Sequence, residues 1–417
     1  MKRIKTVFAV GMASVVTLAL AACGGGDNSS GGSGGGSDGG VTNLVAWHGY
    51  TEADGKVLDK IVANFNASQP ACQVKGEAIA WDSITEKLVT SLGAGNGPNL
   101  VVQGPDTARG YITQGAFQPT SDFYSDPAKY PNAAAMYPNF VDTVTWDGEK
   151  AGIPMGTAAF AVYYNKKLWA DAGLTEKDYP KTMDEFLALA KKLTKGNVYG
   201  MAAPDKDAGF LSNLLHSEGG DYITDGKVAI DSPTNVATLQ KWQKAITEDK
   251  ISPTGMDATK AMQLFASGRA AMILNGPWEI TNAQAGKVDV DVFQWPADWV
   301  EGVLNYWWST SMNQTDAQKE CVLKFGDFWN SKEQQTIWTE SYYPPNRADI
   351  PAADQKYPII GTLAGFSDKA HYYASGITQN YNDINAEAIG LMQQVTKGGD
   401  VPTLTANAQK KIQGYLQ

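Results

Sequence analysis

Apolar and polar positions fall in blocks along the chain, and the period of the blocks changes from place to place. Residues 6–22 form an unbroken run of apolar and small side chains behind a basic start, Lys2, Arg3 and Lys5. The run is short for a membrane span and has the n-region and h-region of an export signal. From residue 42 the pattern alternates between strand and helix. Residues 43–47 predict a short strand, and Thr51-x-x-Asp54 predicts a capping box opening a helix that carries Leu58, Ile61, Val62 and Phe65 on one face. Residues 73–81 read as the next strand, and Ser83-x-x-Glu86 as a second capping box before the stripe Ile84, Leu88 and Leu92. Gly93 and the Gly95-Asn96-Gly97-Pro98 turn precede a third strand at 99–103. This β-α-β-α-β order implies a parallel sheet wrapped by helices. Loops after strand C-termini form the crevice of such a sheet. Trp47-His48, Trp81-Asp82 and Gln103 to Asp106 are therefore expected to sit together. Further on, Asp147-Gly148 and Asp225-Gly226 predict hairpin turns, and Thr182-x-x-Glu185 a third cap before Phe186, Leu187, Ala190 and Leu193. Pro154 to Thr157 is expected to make the first crossing between two lobes. No internal repeat is visible.

Composition narrows the function. The 417 residues are 43% hydrophobic, enough for two cores, and carry 34 basic against 44 acidic side chains for a net charge of −10. Backbone-driven nucleic-acid binding needs a basic footprint, so no nucleic-acid partner is expected. Beyond residue 22 only Arg109, Arg269 and Arg347 are arginine, which leaves few sources for a bidentate phosphate or carboxylate clamp. A neutral ligand is favoured. The 12 Trp and 18 Tyr exceed the usual needs of packing and offer ring surface for recognition. His48, His216 and His371 are scattered and no metal motif appears, so neither metal nor cofactor is expected.

Leu20-Ala21-Ala22-Cys23-Gly24 resembles the lipobox of bacterial lipoproteins. The resemblance implies a signal peptide over 1–22, lipid attachment at Cys23, and a chain held on the outer face of the cell membrane. Residues 24–40 are all Gly, Ser, Asp or Asn, a tether with a reach of about 23 Å. Its Gly31-Gly32-Ser33-Gly34-Gly35 matches G-x-S-x-G only formally, since no strand precedes it. With Cys23 lipidated, Cys72 and Cys321 remain, and they read either as a disulfide or as two small buried hydrophobes.

Several segments in order resemble the oligosaccharide-binding family of bacterial ABC-importer solute receptors, of which maltose-binding protein is a member. They are Gly152-Ile153-Pro154-Met155-Gly156-Thr157, then Tyr163-Tyr164-Asn165-Lys166-Lys167-Leu168-Trp169, then Lys181-Thr182-Met183-Asp184-Glu185-Phe186. The most specific is Gly268-Arg269-Ala270-Ala271-Met272-Ile273-Leu274-Asn275-Gly276-Pro277-Trp278-Glu279. Met183 departs from the Trp usual in the family. The resemblance spans about residues 42–417. It implies a two-lobed α/β clamp of the type II periplasmic-binding-protein kind, hinged between lobes, with 41–154 plus 303–348 in lobe one and 155–302 plus 349–417 in lobe two. It also implies a monomer that delivers an oligosaccharide to an ABC permease and is not an enzyme.

A sugar site wants flat rings for C–H faces and Asp, Asn, Gln or Thr for hydroxyls. By the resemblance, Trp278 stacks on sugar beside Asn275, aimed by the Gly276-Pro277 turn. Trp47-His48 and Trp81-Asp82 read equally as ligand groups and as lids on the core. Gln103 leads to Asp106, which reads both as a hydroxyl acceptor and as a helix cap. Trp307-Trp308 must point to opposite faces of a strand, so one is expected to pack and the other to meet ligand. Tyr343, in Tyr342-Tyr343-Pro344-Pro345, and Thr157 complete the candidates, each with a plain structural reading alongside. Two alternatives stay open: a glycerol-3-phosphate or phosphodiester receptor, for which Arg109 is the nearest cation to a crevice loop, and a carbohydrate hydrolase, which needs two opposed carboxylates.

Overall fold

Strands β1 (Thr42–His48), β2 (Cys72–Ala78) and β3 (Leu100–Gln103) are connected by helices Ala53–Ser68 and Trp81–Gly93. The strands pair in parallel with β1 central. A computed structural model describes residues 40–51, 53–146, 148–224, 227–311, 314–372 and 380–416, without the side chains of Ala53, Asp82, Thr85, Asp106 and Trp146. The signal segment, Cys23, the tether up to residue 39, Asp147 and the Asp225-Gly226 turn lie outside the described residues. The flanks of that turn, β9 (Ile223–Thr224) and β10 (Lys227–Val228), pair antiparallel, as do β4 (Thr145–Trp146) and β5 (Glu149–Lys150) around Asp147-Gly148.

The first helical stripe packs as its spacing requires, with Leu58, Ile61, Val62 and Phe65 in one core. Ile84, Leu88 and Leu92 fill the core on the opposite side of the sheet. The second capping box is displaced. Strand β2 ends at Ala78, and its following helix begins at Trp81 behind Ala80, so Ser83 lies inside the first turn and caps nothing. Trp81 is thereby a helix-start residue rather than a strand end. The third cap forms: Thr182 Oγ1 accepts the amide of Glu185 at 3.2 Å. The Glu185 carboxylate reaches back one residue further than expected, to the Lys181 amide at 2.7 Å.

Two long strands complete the first sheet. Strand β13 (Val300–Ser309) runs antiparallel to β3 on one side and to β6 (Gly152–Ala159) on the other, and β14 (Ala370–His371) pairs with its start. All eight residues of β6 are buried. The Trp329 indole donates to Met155 O at 2.8 Å and the Asn330 amide to Pro154 O at 3.0 Å, pinning β6 to helix Asp316–Trp329. Cys72 and Cys321 form a disulfide with Cα atoms 5.8 Å apart, which ties the edge strand β2 to the same helix.

Strand β7 (Ala161–Asn165) belongs to a second sheet, ordered β12-β7-β11-β8 with β8 (Tyr199–Ala202), β11 (Ala270–Asn275) and β12 (Val290–Phe293). The change of sheet therefore falls at Phe160. It does not fall within Pro154 to Thr157, because β6 keeps its pairing with β13 through Ala159↔Gly302. The return falls between β12 and β13. Among the described residues no helix is long and apolar enough to cross a membrane.

Candidate functional site

Past the end of β1 the chain turns through Gly49 to Tyr50, whose ring is the hub of an aromatic cluster. Trp81 meets it edge-on at 5.2 Å between centroids, Trp338 at 5.6 Å and Tyr343 at 6.0 Å. Gly49 is required here, since a Cβ would overlap the Trp81 indole. The Tyr50 hydroxyl accepts from the Asn305 amide at 2.9 Å. Asn305 reaches it because the register of β13 against β6 slips between Asn305 and Tyr306, and such a bulge re-aims a side chain. Burial holds the Tyr50 phenol far above its ordinary range, so the hydroxyl stays protonated. Trp81 is 39% exposed, the open edge of the cluster.

Trp278 packs against the core that contains this cluster. Its other neighbour is Phe160, edge-to-face at 5.6 Å, at the sheet crossing. Beneath the two rings lies a half-open recess enclosing about 490 Å³ of atom-free space, open solvent at its mouth included. Helix Ala208–Ser217 supplies Phe210 and Asn213, its cap supplies Asp207, and Glu301 enters from β13. No Lys or Arg is among the described lining residues. Asp207 Oδ1 accepts the amides of Gly209 at 2.8 Å and Phe210 at 3.3 Å. Burial nonetheless raises the Asp207 pKa.

The corner bearing Trp278 is held from behind by Glu279, a fully buried carboxyl. It accepts from the Asn275 amide at 2.6 Å and the Asn282 amide at 2.5 Å. Desolvation outweighs these two bonds and pushes its pKa up to about 7. Gly276 has no alternative, because a Cβ there would overlap the Trp278 ring.

The other sequence candidates are placed as follows. Tyr343 is in the aromatic cluster, and Asn275 and Trp278 line the recess. Trp47 is buried against the core of helix Trp81–Gly93, its indole donating to Glu77 at 3.0 Å. Trp307 and Trp308 do face opposite sides of β13, yet both are completely buried. Trp307 packs on Phe325 and Trp329, and Trp308 donates to Gln103 O at 2.9 Å. The expectation that one of the pair meets ligand is not met in this conformation, because a core covers each face of the strand. Thr157 is also fully buried and donates to Asn346 Oδ1 at 2.7 Å. His48 and Gln103 end their strands buried, and the Gln103 amide nitrogen finds no hydrogen-bond partner among the described residues. Desolvation lowers the His48 pKa, opposed by the nearby Asp59 charge. The Asp82 and Asp106 side chains lie outside the described residues.

Sequence reasoning missed Tyr50, Phe160, Asp207, Asn305 and Trp338. Tyr50 and Phe160 each follow a strand end by one or two residues, which is the signal that could have found them. Asn305 depends on a bulge and Trp338 on a distant helix, and neither carries a local signature.

A two-sheet α/β fold with an aromatic recess at the strand crossing defines a class of ligand receptors, and sequence comparison places the chain within it. The pattern of the bacterial extracellular solute-binding protein family matches residues 60–362, so the chain belongs to that family. The diacetylchitobiose binding protein DasA of Streptomyces coelicolor is 28% identical over 391 residues, covering 87% of this chain and 88% of its own. The sn-glycerol-3-phosphate-binding periplasmic protein UgpB of Brucella melitensis is 25% identical over 340 residues, covering 73% and 74%. The crystal structure of the cyclic α-maltosyl-1,6-maltose binding protein from Arthrobacter globiformis superposes with a TM-score of 0.78 at 18% identity, over 90% of this chain and 99% of that one. The fold is thus the two-lobed fold of solute-binding proteins.

Proposed function

We propose that this protein is the substrate receptor of an ABC importer and captures a neutral oligosaccharide between its lobes. The observation that carries the reading is Trp278, seated between the Phe160–Asp207 recess and the Tyr50–Trp81–Tyr343 cluster. Indole and phenol faces take the C–H faces of sugar rings, while Asp207 and Asn275 face the hydroxyls. Relatives and structural neighbours that bind oligosaccharides support the same reading. The lobes divide at Phe160 and between residues 293 and 300, where the chain passes from one sheet to the other. Trp47, Trp307, Trp308 and Thr157 serve as framework. Ligand contacts from both lobes exist together only in a closed form, so the sugar biases an open–closed equilibrium by its differential affinity.

A phosphate ligand is the weaker reading. The described lining of the recess offers two carboxylates and no cation, and Arg347 is committed to Asp349, Asn132 and the Asn330 carbonyl. The protein acts as a monomer, breaks no glycosidic bond, and is anchored outside the cell through lipid on Cys23.

Titration calorimetry with neutral glucose, mannose, xylose, galactose and N-acetylglucosamine oligomers tests the function. Heat is expected with at least one of them, weakened about 100-fold or more in Trp278→Ala. Silence with all of them, or new reducing ends on incubation, overturns it.

A further inference from the structure

Strand β11 ends at Asn275, and Gly276-Pro277 turns the chain so that Trp278 opens helix Glu279–Ala285. Trp278 is therefore carried on a corner, and its aim is only as firm as that corner. The Asn275 side chain spans the turn. Its Oδ1 accepts the Gly276 amide at 2.9 Å and its Nδ2 donates to Glu279 Oε2 at 2.6 Å. Glu279 Oε1 accepts from Asn282, whose Nδ2 also reaches Met262 O at 3.1 Å on helix Ala258–Ala266. One fully buried carboxyl thus joins the strand end, its own helix and a neighbouring helix.

The surroundings of this carboxyl suit its neutral form. Both hydrogen-bond partners are uncharged amides, and β7, β11 and helix Glu279–Ala285 carry no other charged side chain. Tyr163 on β7 feels the Glu279 charge, and its buried hydroxyl finds no hydrogen-bond partner among the described residues. Tyr164 faces the other core, with Tyr179 and Asp291. Lys260, the one cation of helix Ala258–Ala266, is exposed and lies 3.4 Å from its own cap Asp257. Across the recess stand Asp207 and Glu301, both acids. Ionised in place, Glu279 is a buried charge without a counterion, and relief requires water to enter or the side chain to swing out. Either response breaks the bond to Asn275 and frees the turn that aims Trp278.

We propose that Glu279 is a positioning residue for Trp278: with its proton in place it holds the corner through Asn275 and Asn282, and sugar binds to that held form, taking up a proton. The inference rests on the reading that Trp278 meets sugar. Burial keeps the Glu279 pKa at about 7, so the protonated fraction falls from about 0.9 at pH 6 to about 0.1 at pH 8. Affinity follows that fraction, full on the acid side and about tenfold weaker at pH 8.

The test is calorimetry on the whole protein at pH 6 and pH 8 with the tightest-binding oligomer of the panel above. Comparison of two buffers of different ionisation enthalpy at pH 7.5 is expected to show uptake of about three-quarters of a proton per sugar bound. Glu279→Gln cannot ionise, and it is expected to bring the ratio between the two pH values close to one and to abolish the uptake. Asn282→Ala, at a half-buried helix position, removes a bond that favours the charged form, so the loss of affinity is expected at higher pH. Fluorescence from pH 6 to 8.5 needs no ligand. A transition near pH 7 is expected in the native chain and absent from both Glu279→Gln and Trp278→Phe. A pH profile of affinity that Glu279→Gln leaves unchanged, or no fluorescence transition near pH 7, overturns the inference, and the receptor reading stands wherever Trp278→Ala still weakens binding. No binding by any oligomer, or binding indifferent to Trp278→Ala, overturns the receptor reading and the sugar linkage together, and the fluorescence transition then decides alone whether Glu279 places Trp278.

Discussion

Glu279→Gln isolates one buried ionisation. In the folded chain the carboxyl is fully enclosed between the Asn275 and Asn282 amides, with its pKa raised from 4.5 to about 7 by loss of solvent. Below pH 4.5 the group is protonated in folded and unfolded chains alike and contributes no pH dependence. Between about 4.5 and 7 the folded chain retains a proton that the unfolded chain has released, so stability falls as pH rises. Above 7 the loss is complete, and at about 1.36 kcal/mol per pH unit it amounts to roughly 3 kcal/mol. Gln resembles the protonated acid in shape and cannot ionise, so the variant lacks this slope. Urea unfolding followed by tryptophan fluorescence at pH 4.5 and pH 8 checks it. The stability of Glu279→Gln relative to the native chain is expected to improve by about 3 kcal/mol over that interval. Parallel pH profiles for the two proteins would refute the reasoning and mean that Glu279 is hydrated or ionised at little cost.

The Cys72–Cys321 bond closes a segment of 249 residues. Its replacement by a pair of serines is expected to cost about 2–5 kcal/mol, read from the urea midpoint against the non-reduced native chain. Tyr50→Phe removes the acceptor of the Asn305 amide and is expected to lower sugar affinity about threefold to tenfold with little loss of stability, since Asn305 is only partly buried and can turn to water. Unchanged affinity would place Tyr50 outside the site. Cys23→Ser is expected to release the protein into the medium of the producing cells, and continued membrane retention would exclude a lipid anchor at that residue.

Much of the first sheet was legible because local pattern and tertiary burial agree there. The Leu58, Ile61, Val62 and Phe65 stripe and the β-α-β-α-β order need only period and turn residues. The adjacent tryptophans show the limit. Period two fixes that Trp307 and Trp308 point opposite ways, but a central strand covered on both faces buries both, and coverage is a property of the whole fold. Trp47 was ambiguous for the same reason, and its partner Glu77 decides it from a neighbouring strand. The change of sheet falls at Phe160 and not at the Pro and Gly punctuation of Pro154 to Thr157, which marks a strand that approaches Trp338 and Tyr50 closely at Gly156. Asp207 escaped notice because a helix cap and a ligand acceptor use the same residue, and only the cavity distinguishes its second oxygen. Pairing of Cys72 with Cys321 depended on bringing β2 beside helix Asp316–Trp329, which no spacing reveals.

The central claim is that a sugar is held where Trp278 meets the Tyr50 cluster, and a crystal structure of the protein with the tightest-binding oligosaccharide tests it most directly. The account predicts a sugar ring stacked on the Trp278 indole at about 4 Å, with a substituent hydrogen-bonded to Asp207 and residues of both lobes in contact. A sugar bound elsewhere on the surface, with Trp278 and Asp207 untouched, would contradict it.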